Sequence, residues 1–181
     1  MIASSLEKLK ESHTVEVEWH SFELRPVDGP PSPPEYIAKV KAARPQFYQM
    51  AKEKYGLDLK PGPFGINSRP SLIGAKYAAE KNMADPYHDA IFRVYWMEGQ
   101  DISDEAVLED VAVSIGLDGG EFIDALTNEP YRGEMMRDVE LAHDYGLSGV
   151  PALIFANKYL AVGAQPYETL TNIVEKIQVE G

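Results

Sequence analysis

The chain has 181 residues, of which 44% are hydrophobic and 25% charged; these values are typical of a folded globular domain and exclude a disordered or collagen-like chain. Its 29 acidic and 17 basic side chains give a formal charge of −12, which disfavours binding to nucleic acid or to an anionic membrane surface. It contains no cysteine, so none of its side chains supplies a thiolate, a disulfide or a Cys-ligated metal site. We expect neither a nucleic acid partner nor a membrane partner.

The N-terminal residues carry no apolar core long enough for a signal peptide. No apolar run anywhere approaches the roughly 20 residues that a helix needs to cross a bilayer. These two features predict a cytoplasmic location.

The first elements along the chain are a helix, a strand and a rigid loop. A helix is predicted over residues 4–11, with Leu6 and Leu9 on its apolar side. The residues from Val15 to Leu24 alternate between apolar and polar, which predicts a β-strand. The segment 26–34 contains five prolines, which cannot extend a sheet and therefore predict a loop.

Between residues 35 and 145 the apolar periodicity predicts helices only. They are two short helices flanking Pro45, then helices over 70–82 and 86–97, one with Ser103 as its N-cap, one opened by Asp118 with Glu121, and one over 129–145 that ends at Gly146. Phe92 and Trp96 widen the apolar stripe of the 86–97 helix, so we expect it to be buried on most sides. We expect these helices to form one bundle whose buried side chains include Ile91, Val94, Tyr95, Leu108, Val111 and Ile115.

The C-terminal segment returns to a strand pattern. Ala152–Ala156 and Tyr159–Val162 predict a hairpin about Asn157 and Lys158, and Pro166 begins a final helix. The apolar face of that helix consists of Leu170, Ile173, Val174 and Ile177. We therefore expect two domains, a discontinuous one from residues 1–33 and 146–181 and a helical one from residues 34–145.

The sequence offers few groups for catalysis or metal binding. The histidines are scattered, without the spacing of a metal site: His13, His20, His88 and His143. One helix carries a group of acids and a histidine that spread around its cylinder, which predicts a solvated acidic face rather than a metal site: Asp138, Glu140, His143 and Asp144. Neither a Gly-x-Ser-x-Gly elbow nor a phosphate-binding glycine loop is present. We predict no metal site.

The segment Gly146–Pro151 lies between a predicted helix and a predicted strand. A proline at the entry of a strand is allowed there, and such a turn can hold a cis X-Pro bond that presents the preceding backbone groups outward. The same residues are also compatible with an ordinary helix-to-strand turn. Spacing alone leaves both interpretations open.

Several segments together resemble the DsbA-like thioredoxin-fold family. The resemblance is greatest to its cytosolic FrnE-like members, which are related to 2-hydroxychromene-2-carboxylate isomerases and kappa-class glutathione transferases. The segments that carry it are residues 149–155, 158–159, 162–166, 19–26, 67–69, 95–101 and 103–118. It implies an α/β protein with a thioredoxin-like fold, truncated at its N-terminal strand, with an inserted all-helical domain.

The resemblance also implies a substrate-binding site and its ligands. It places Gly149, Val150 and Pro151 at the family's cis-proline loop, so we expect the Val150–Pro151 bond to be cis, and it adds Gln165 and Asn67 as substrate-binding residues. The implied partners are a peptide or protein disulfide, or glutathione, with no other cofactor. The family's Cys-x-x-Cys segment has no counterpart in this sequence, so no catalytic residue is assigned.

Three functions remain open at this stage. The chain is a thiol–disulfide oxidoreductase or isomerase relative that lacks the first strand and is redox-inactive, a non-redox peptide- or protein-binding module, or a glutathione-dependent isomerase or transferase. Without the first strand, the segments Val15–Leu24 and Ala152–Ala156 would each expose unpaired backbone groups. We therefore expect a homo-oligomer, in which another chain covers the edge, in preference to direct pairing of the two segments.

Overall fold

The computed structural model describes the backbone of residues 2–180 and the side chains of residues 5–180. In that range the elements follow one another as α1 (Ile2–Ser12), α2 (Pro34–Tyr55), α3 (Arg69–Glu80), α4 (Ala84–Trp96), α5 (Glu105–Ser114), α6 (Gly119–Leu126), α7 (Glu129–Asp144), β1 (Ala152–Phe155), β2 (Tyr159–Val162) and α8 (Tyr167–Glu180). Backbone contacts divide the chain into a first unit, Met1–Trp19 with Ala142–Gly181, and a second unit, His20–Leu141. The domain boundaries given above from the sequence stay a prediction.

The sheet of the first unit is the predicted hairpin. β1 and β2 run antiparallel, with Ala152 opposite Val162 and Phe155 opposite Tyr159. The turn lies at Ala156 and Asn157, whose φ angles of 48° and 53° are both left-handed. Two consecutive left-handed residues match the right-handed twist of the flanking strands, which is why the hairpin closes so tightly.

Two helices and the hairpin of the first unit share one apolar cluster. Leu6 and Leu9 of α1 and Leu170 and Val174 of α8 are buried. Burial of an aliphatic side chain of this size contributes about 1.5–3 kcal/mol, so these four residues fix α1 against α8. Half-buried apolar residues cover the cluster, namely Val15, Val17, Trp19, Leu153, Phe155 and Tyr167.

The prediction of a strand over Val15–Leu24 is wrong. No part of that segment forms a β-ladder, although Val15, Val17 and Trp19 are half-buried and the residues between them are exposed. An alternating segment becomes a strand only when a neighbour accepts and donates its backbone hydrogen bonds. Among the described residues the sheet consists of β1 and β2 alone, so direct pairing of this segment with β1 does not occur.

The second unit is built around one larger cluster. Side chains of α3, α4, α5 and α6 converge on Tyr87 and Phe122, both of which are fully buried. Val94, Leu108 and Val111 are buried in this cluster as predicted, whereas Ile91, Tyr95 and Ile115 pack against it half-buried.

Two sequence-based expectations about helices of the second unit need correction. α2 is one helix of 22 residues with Pro45 inside it, because a proline removes a single backbone hydrogen bond and the turns on both sides continue the helix. Asp104, not Ser103, caps α5, since its carboxylate accepts from the backbone N–H of Ala106. Ser103 instead binds the side chain of Asp101.

Phe92 is also placed differently from our expectation. It is 50% exposed, and its ring stacks on His88 of the same helix at 4.5 Å between centroids. The predicted start of α6 is confirmed, with Asp118 accepting from the backbone N–H of Glu121 at 2.9 Å.

No helix in the described part of the chain is long and apolar enough to cross a bilayer.

Candidate substrate-binding site

The loop between α7 and β1 presents an exposed backbone. Gly146 ends α7 with φ at +67°, a left-handed conformation that glycine adopts without steric cost. Val150 is 57% exposed, and a Cβ added at Gly149 would meet no atom within 4 Å. The Val150–Pro151 bond, which we expected to be cis, is cis in the structure. The loop therefore leaves room for a ligand at Gly149 and Val150.

The hydrogen-bond pattern of the hairpin shows which backbone groups of β1 face outward. The carbonyl of Pro151 accepts from the N–H of Gly163 at 2.8 Å. Hydrogen-bonded and non-hydrogen-bonded residues alternate in an antiparallel pair, so Leu153 and Phe155 exchange bonds with β2 while the N–H and C=O groups of Ala152 and Ile154 point to the opposite edge. Among the described residues, no strand pairs with that edge.

Gln165 supports the end of β2 rather than pointing into open solvent. Its side-chain N–H donates to the carbonyl of Val162 at 2.6 Å. That contact lies next to Gly163, the residue that binds Pro151. The structure thus brings Gly149, Val150, Pro151 and Gln165 together at one end of the hairpin.

Asn67, the remaining residue of the predicted set, lies in the second unit. Its side-chain oxygen accepts from the backbone N–H of Arg69 at 3.0 Å, so it stabilises the start of α3. The same helix start holds a carboxylate clamp: the guanidinium of Arg69 donates to both oxygens of Glu23 and to Asp28. These hydrogen bonds raise the pKa of Arg69 above its ordinary value, and the bond to Glu23 has the largest effect.

Asp138 corrects the prediction of a solvated acidic face on α7. Its side chain is only 10% exposed and accepts from Nδ1 of His20 at 2.8 Å, from the backbone N–H of Ser21 at 2.6 Å, and from Lys76. Burial raises the pKa of the Asp138 carboxyl, but the bonds from Lys76, Ser21 and His20 outweigh burial and hold it below its ordinary value. The carboxylate is thus a charged anchor inside the second unit.

No signal in the sequence marks Asp138 as buried, because its partners lie on other elements. In the described part of the chain, no group of three or more His, Cys, Asp or Glu side chains is arranged to hold a metal ion. The Arg69 cluster joins α3 to residues 23–28, and the Asp138 cluster joins α7 to α3 and to residues 20–21. Each cluster therefore serves to hold the fold of the second unit.

Comparison with known proteins links this geometry to one family. Residues 1–175 match the family described as the DSBA-like thioredoxin domain. The uncharacterized protein YwbO of Bacillus subtilis is 27% identical over 173 residues, which cover 91% of this chain and 85% of that protein.

Solved structures share the fold. A probable DsbA oxidoreductase from Streptomyces coelicolor superposes with a TM-score of 0.82 and 23% identity, over 99% of this chain and 82% of that one. A 2-hydroxychromene-2-carboxylate isomerase superposes with a TM-score of 0.80 and 21% identity, over 99% of this chain and 90% of that one. The thioredoxin-like fold expected from the sequence is confirmed.

Proposed function

Since this chain belongs to the DSBA-like thioredoxin domain family, we propose that it is a substrate-binding relative of the thiol–disulfide oxidoreductases. It holds an extended polypeptide, such as a protein with a disulfide, against the 149–151 loop and the outward edge of β1. We also place it among the FrnE-like cytosolic members, with a cytoplasmic location. Its structural neighbours include a probable DsbA oxidoreductase and a 2-hydroxychromene-2-carboxylate isomerase.

The observation that carries the proposal is the row of outward backbone groups on β1. Ala152 and Ile154 each direct one donor and one acceptor to an edge that no described strand covers. The backbone N–H and C=O of Val150 make no hydrogen bond with described residues either. An extended peptide satisfies such a row by adding itself as a further strand, with affinity from main-chain bonds and specificity from alternate side chains.

The burial of β1 supports the same interpretation. All four of its residues are only half-buried, and Leu153 and Phe155 lie on the apolar cluster of α1 and α8. An added strand would place every second side chain over this cluster. Binding would therefore remove apolar surface from water in addition to pairing the backbone groups.

The role proposed for these 181 residues is binding and not sulfur exchange. Exchange begins with attack of a thiolate on a disulfide sulfur, and the sequence contains no cysteine. Gly149, Val150, Pro151 and Gln165 are the proposed contact residues, and a substrate-binding role for Asn67, in the second unit, stays a prediction from the sequence.

The test uses uncharged ten-residue peptides of alternating valine and threonine, labelled for fluorescence anisotropy. One series is N-methylated on the odd amides and the other on the even amides. Because a strand turns only every second N–H toward its neighbour, one series is expected to lose at least tenfold in affinity while the other stays within threefold of the unmethylated peptide. Equal binding of both series would overturn the proposal.

Two proline variants locate the edge on the protein. Ile154→Pro removes an outward N–H of β1 and leaves the ladder to β2 in place. Leu160 lies opposite Ile154, so Leu160→Pro makes the matched change on the outer edge of β2. We expect Ile154→Pro to abolish binding and Leu160→Pro to retain it, with circular dichroism confirming that both variants are folded. The reverse result would place the site on β2 and contradict the proposal.

A glutathione-dependent isomerase or transferase is the second candidate. The observation in its favour is the structural likeness to a 2-hydroxychromene-2-carboxylate isomerase, with a TM-score of 0.80; glutathione would supply the thiol of such a reaction. It predicts that glutathione binds with a measurable heat by isothermal titration calorimetry. Absence of binding at millimolar glutathione would remove this candidate and leave the peptide-binding proposal unaffected.

A further inference from the structure

Two guanidinium groups of the second unit share one phenyl ring. The Cζ atom of Arg25 lies 4.5 Å from the centre of the Phe64 ring, and the Cζ atom of Arg44 lies 5.2 Å from the same centre. Arg25 also lies 5.7 Å from the centre of the Tyr36 ring and donates to its hydroxyl at 3.4 Å. The aromatic contacts hold both cations in place.

Neither of these arginines forms an ion pair with a carboxylate in the part of the chain that the structure describes. Glu23 and Asp28, the acids on either side of Arg25 in the sequence, both bind Arg69 instead. The chain has 29 acidic and only 17 basic side chains, so carboxylates are plentiful. Two neighbouring cations without a carboxylate repel one another, and this arrangement costs free energy unless an anion binds.

The hydroxyl of Tyr95 is influenced by the charges of both arginines. Its hydroxyl donates to the carbonyl of Pro63 at 3.1 Å. Burial raises the pKa of Tyr95, and the positive charges of Arg44 and Arg25 both oppose that rise. Both guanidinium groups therefore lie within electrostatic reach of the same hydroxyl, beside the loop that carries Phe64.

We propose that Arg25 and Arg44 form a binding site for the oxyanion of a small ligand, a carboxylate or a phosphate group, whose apolar part lies against Phe64 and Tyr36. A guanidinium donates parallel hydrogen bonds to either kind of oxyanion. The rings offer an apolar surface next to the charge, since Tyr36 is 45% exposed. The site is independent of the edge of β1, because it uses none of the residues proposed there.

The probes are phenyl phosphate, phenylacetate and the neutral benzyl alcohol. Binding is followed by NMR through the side-chain Nε–Hε signals of the arginines, at low and high salt. We expect one or both anions to bind with a salt-dependent affinity, and benzyl alcohol to bind at least tenfold more weakly. Binding of phenyl phosphate alone identifies a phosphate site, binding of phenylacetate alone a carboxylate site, and binding of both a general oxyanion site.

The variants separate a binding role from a structural one. Arg25→Gln and Arg44→Gln are each expected to weaken anion binding at least tenfold, and Phe64→Leu at least threefold. Arg132→Gln is the matched control, because Arg132 is exposed and pairs with Glu129; it should change affinity less than twofold. Circular dichroism of each ligand-free variant checks that the substitution leaves the fold intact.

Three results would overturn the proposal. The first is no binding of either anion at about 20 mM, a concentration that would nearly saturate a site with a Kd of about 1 mM. The second is binding that neither arginine substitution changes, and the third is equal binding of benzyl alcohol.

Discussion

The guanidinium of Arg69 binds the carboxylate of Glu23 in a bidentate manner. Nε donates to Oε1 at 2.8 Å, and Nη2 donates to Oε2 at 3.1 Å. The Glu23 side chain is 3% exposed and that of Arg69 15%. The bond joins the first residue of α3 to the segment just ahead of the proline-rich loop. A buried charge pair of this kind depends on both partners, because either one left alone is a buried uncompensated charge.

We predict that Arg69→Met lowers the free energy of unfolding by about 3–5 kcal/mol, since it leaves the Glu23 carboxylate buried without its partner. Urea denaturation followed by circular dichroism measures the loss. Arg132→Met, at an exposed i,i+3 pair, is the control and should change stability by less than about 1 kcal/mol. Similar losses in the two variants would show that the clamp does not stabilise the second unit.

The Asp138 anchor predicts a loss of stability in acid. Its folded-state pKa is lowered from the ordinary value of 3.8. A carboxyl with a lowered pKa stabilises the fold above its unfolded value and loses that contribution as the pH falls through the folded value. The stability difference between the unchanged protein and Asp138→Asn should be about 3 kcal/mol at pH 7 and should shrink steadily below pH 3.8.

Urea titrations of both proteins from pH 7 down to the acid transition provide the measurement. Glu140→Gln is the control, because Glu140 is an exposed residue on the same helix. Its stability difference from the unchanged protein should stay near zero across the range. A constant difference for Asp138→Asn would contradict the account of its pKa.

Two helical glycines are predicted to respond in opposite directions to alanine. A Cβ at Gly74 would lie 2.5 Å from Cζ of Phe122 and 2.6 Å from the Tyr87 hydroxyl, whereas at Gly133 the nearest atom is 3.7 Å away. Gly74→Ala should destabilise the protein by about 1–3 kcal/mol through overpacking. Gly133→Ala should stabilise it by up to about 1 kcal/mol through helix propensity. Thermal unfolding checks both signs, and a stabilised Gly74→Ala would contradict the packing of α3 on α6.

The hairpin turn holds an alanine in a left-handed conformation. Ala156 has φ at +48°, which costs an L-residue with a Cβ about 1–2 kcal/mol. Ala156→Gly should therefore raise the melting temperature by about 2–4 °C. Asn157→Gly should have a smaller effect, since asparagine tolerates this region. Differential scanning calorimetry distinguishes the two, and a lower melting temperature for Ala156→Gly would contradict the turn geometry.

The sequence predicted the elements whose cause is local. The start of α6 at Asp118, the hairpin and the apolar face of α8 all follow from residues within a few positions of one another. The prediction of a strand over Val15–Leu24 failed because a strand requires a neighbouring strand to bond its backbone groups, and the alternation of apolar and polar side chains does not supply one. The site loop was found through resemblance, since its spacing alone also fits an ordinary turn.

The polar centres depend on contacts between distant residues. Asp138 meets Ser21 across 117 positions and Arg69 meets Glu23 across 46. The ring of Phe64 collects Arg25 and Arg44 from two different segments. No periodicity within a helix reports such contacts, so the sequence assigned Asp138 to a solvated face and gave Arg25 and Arg44 no role.

Backbone hydrogen exchange of the hairpin, measured by NMR with and without the valine–threonine peptide, tests the central claim most directly. The N–H groups of Ala152 and Ile154 face the outward edge and should exchange quickly in the free protein. Peptide binding should slow both at least tenfold, and leave Leu153 and Phe155, which already bind β2, within about twofold. Unchanged exchange at Ala152 and Ile154 with saturating peptide, or protection at Leu160 and Val162 instead, would contradict the account.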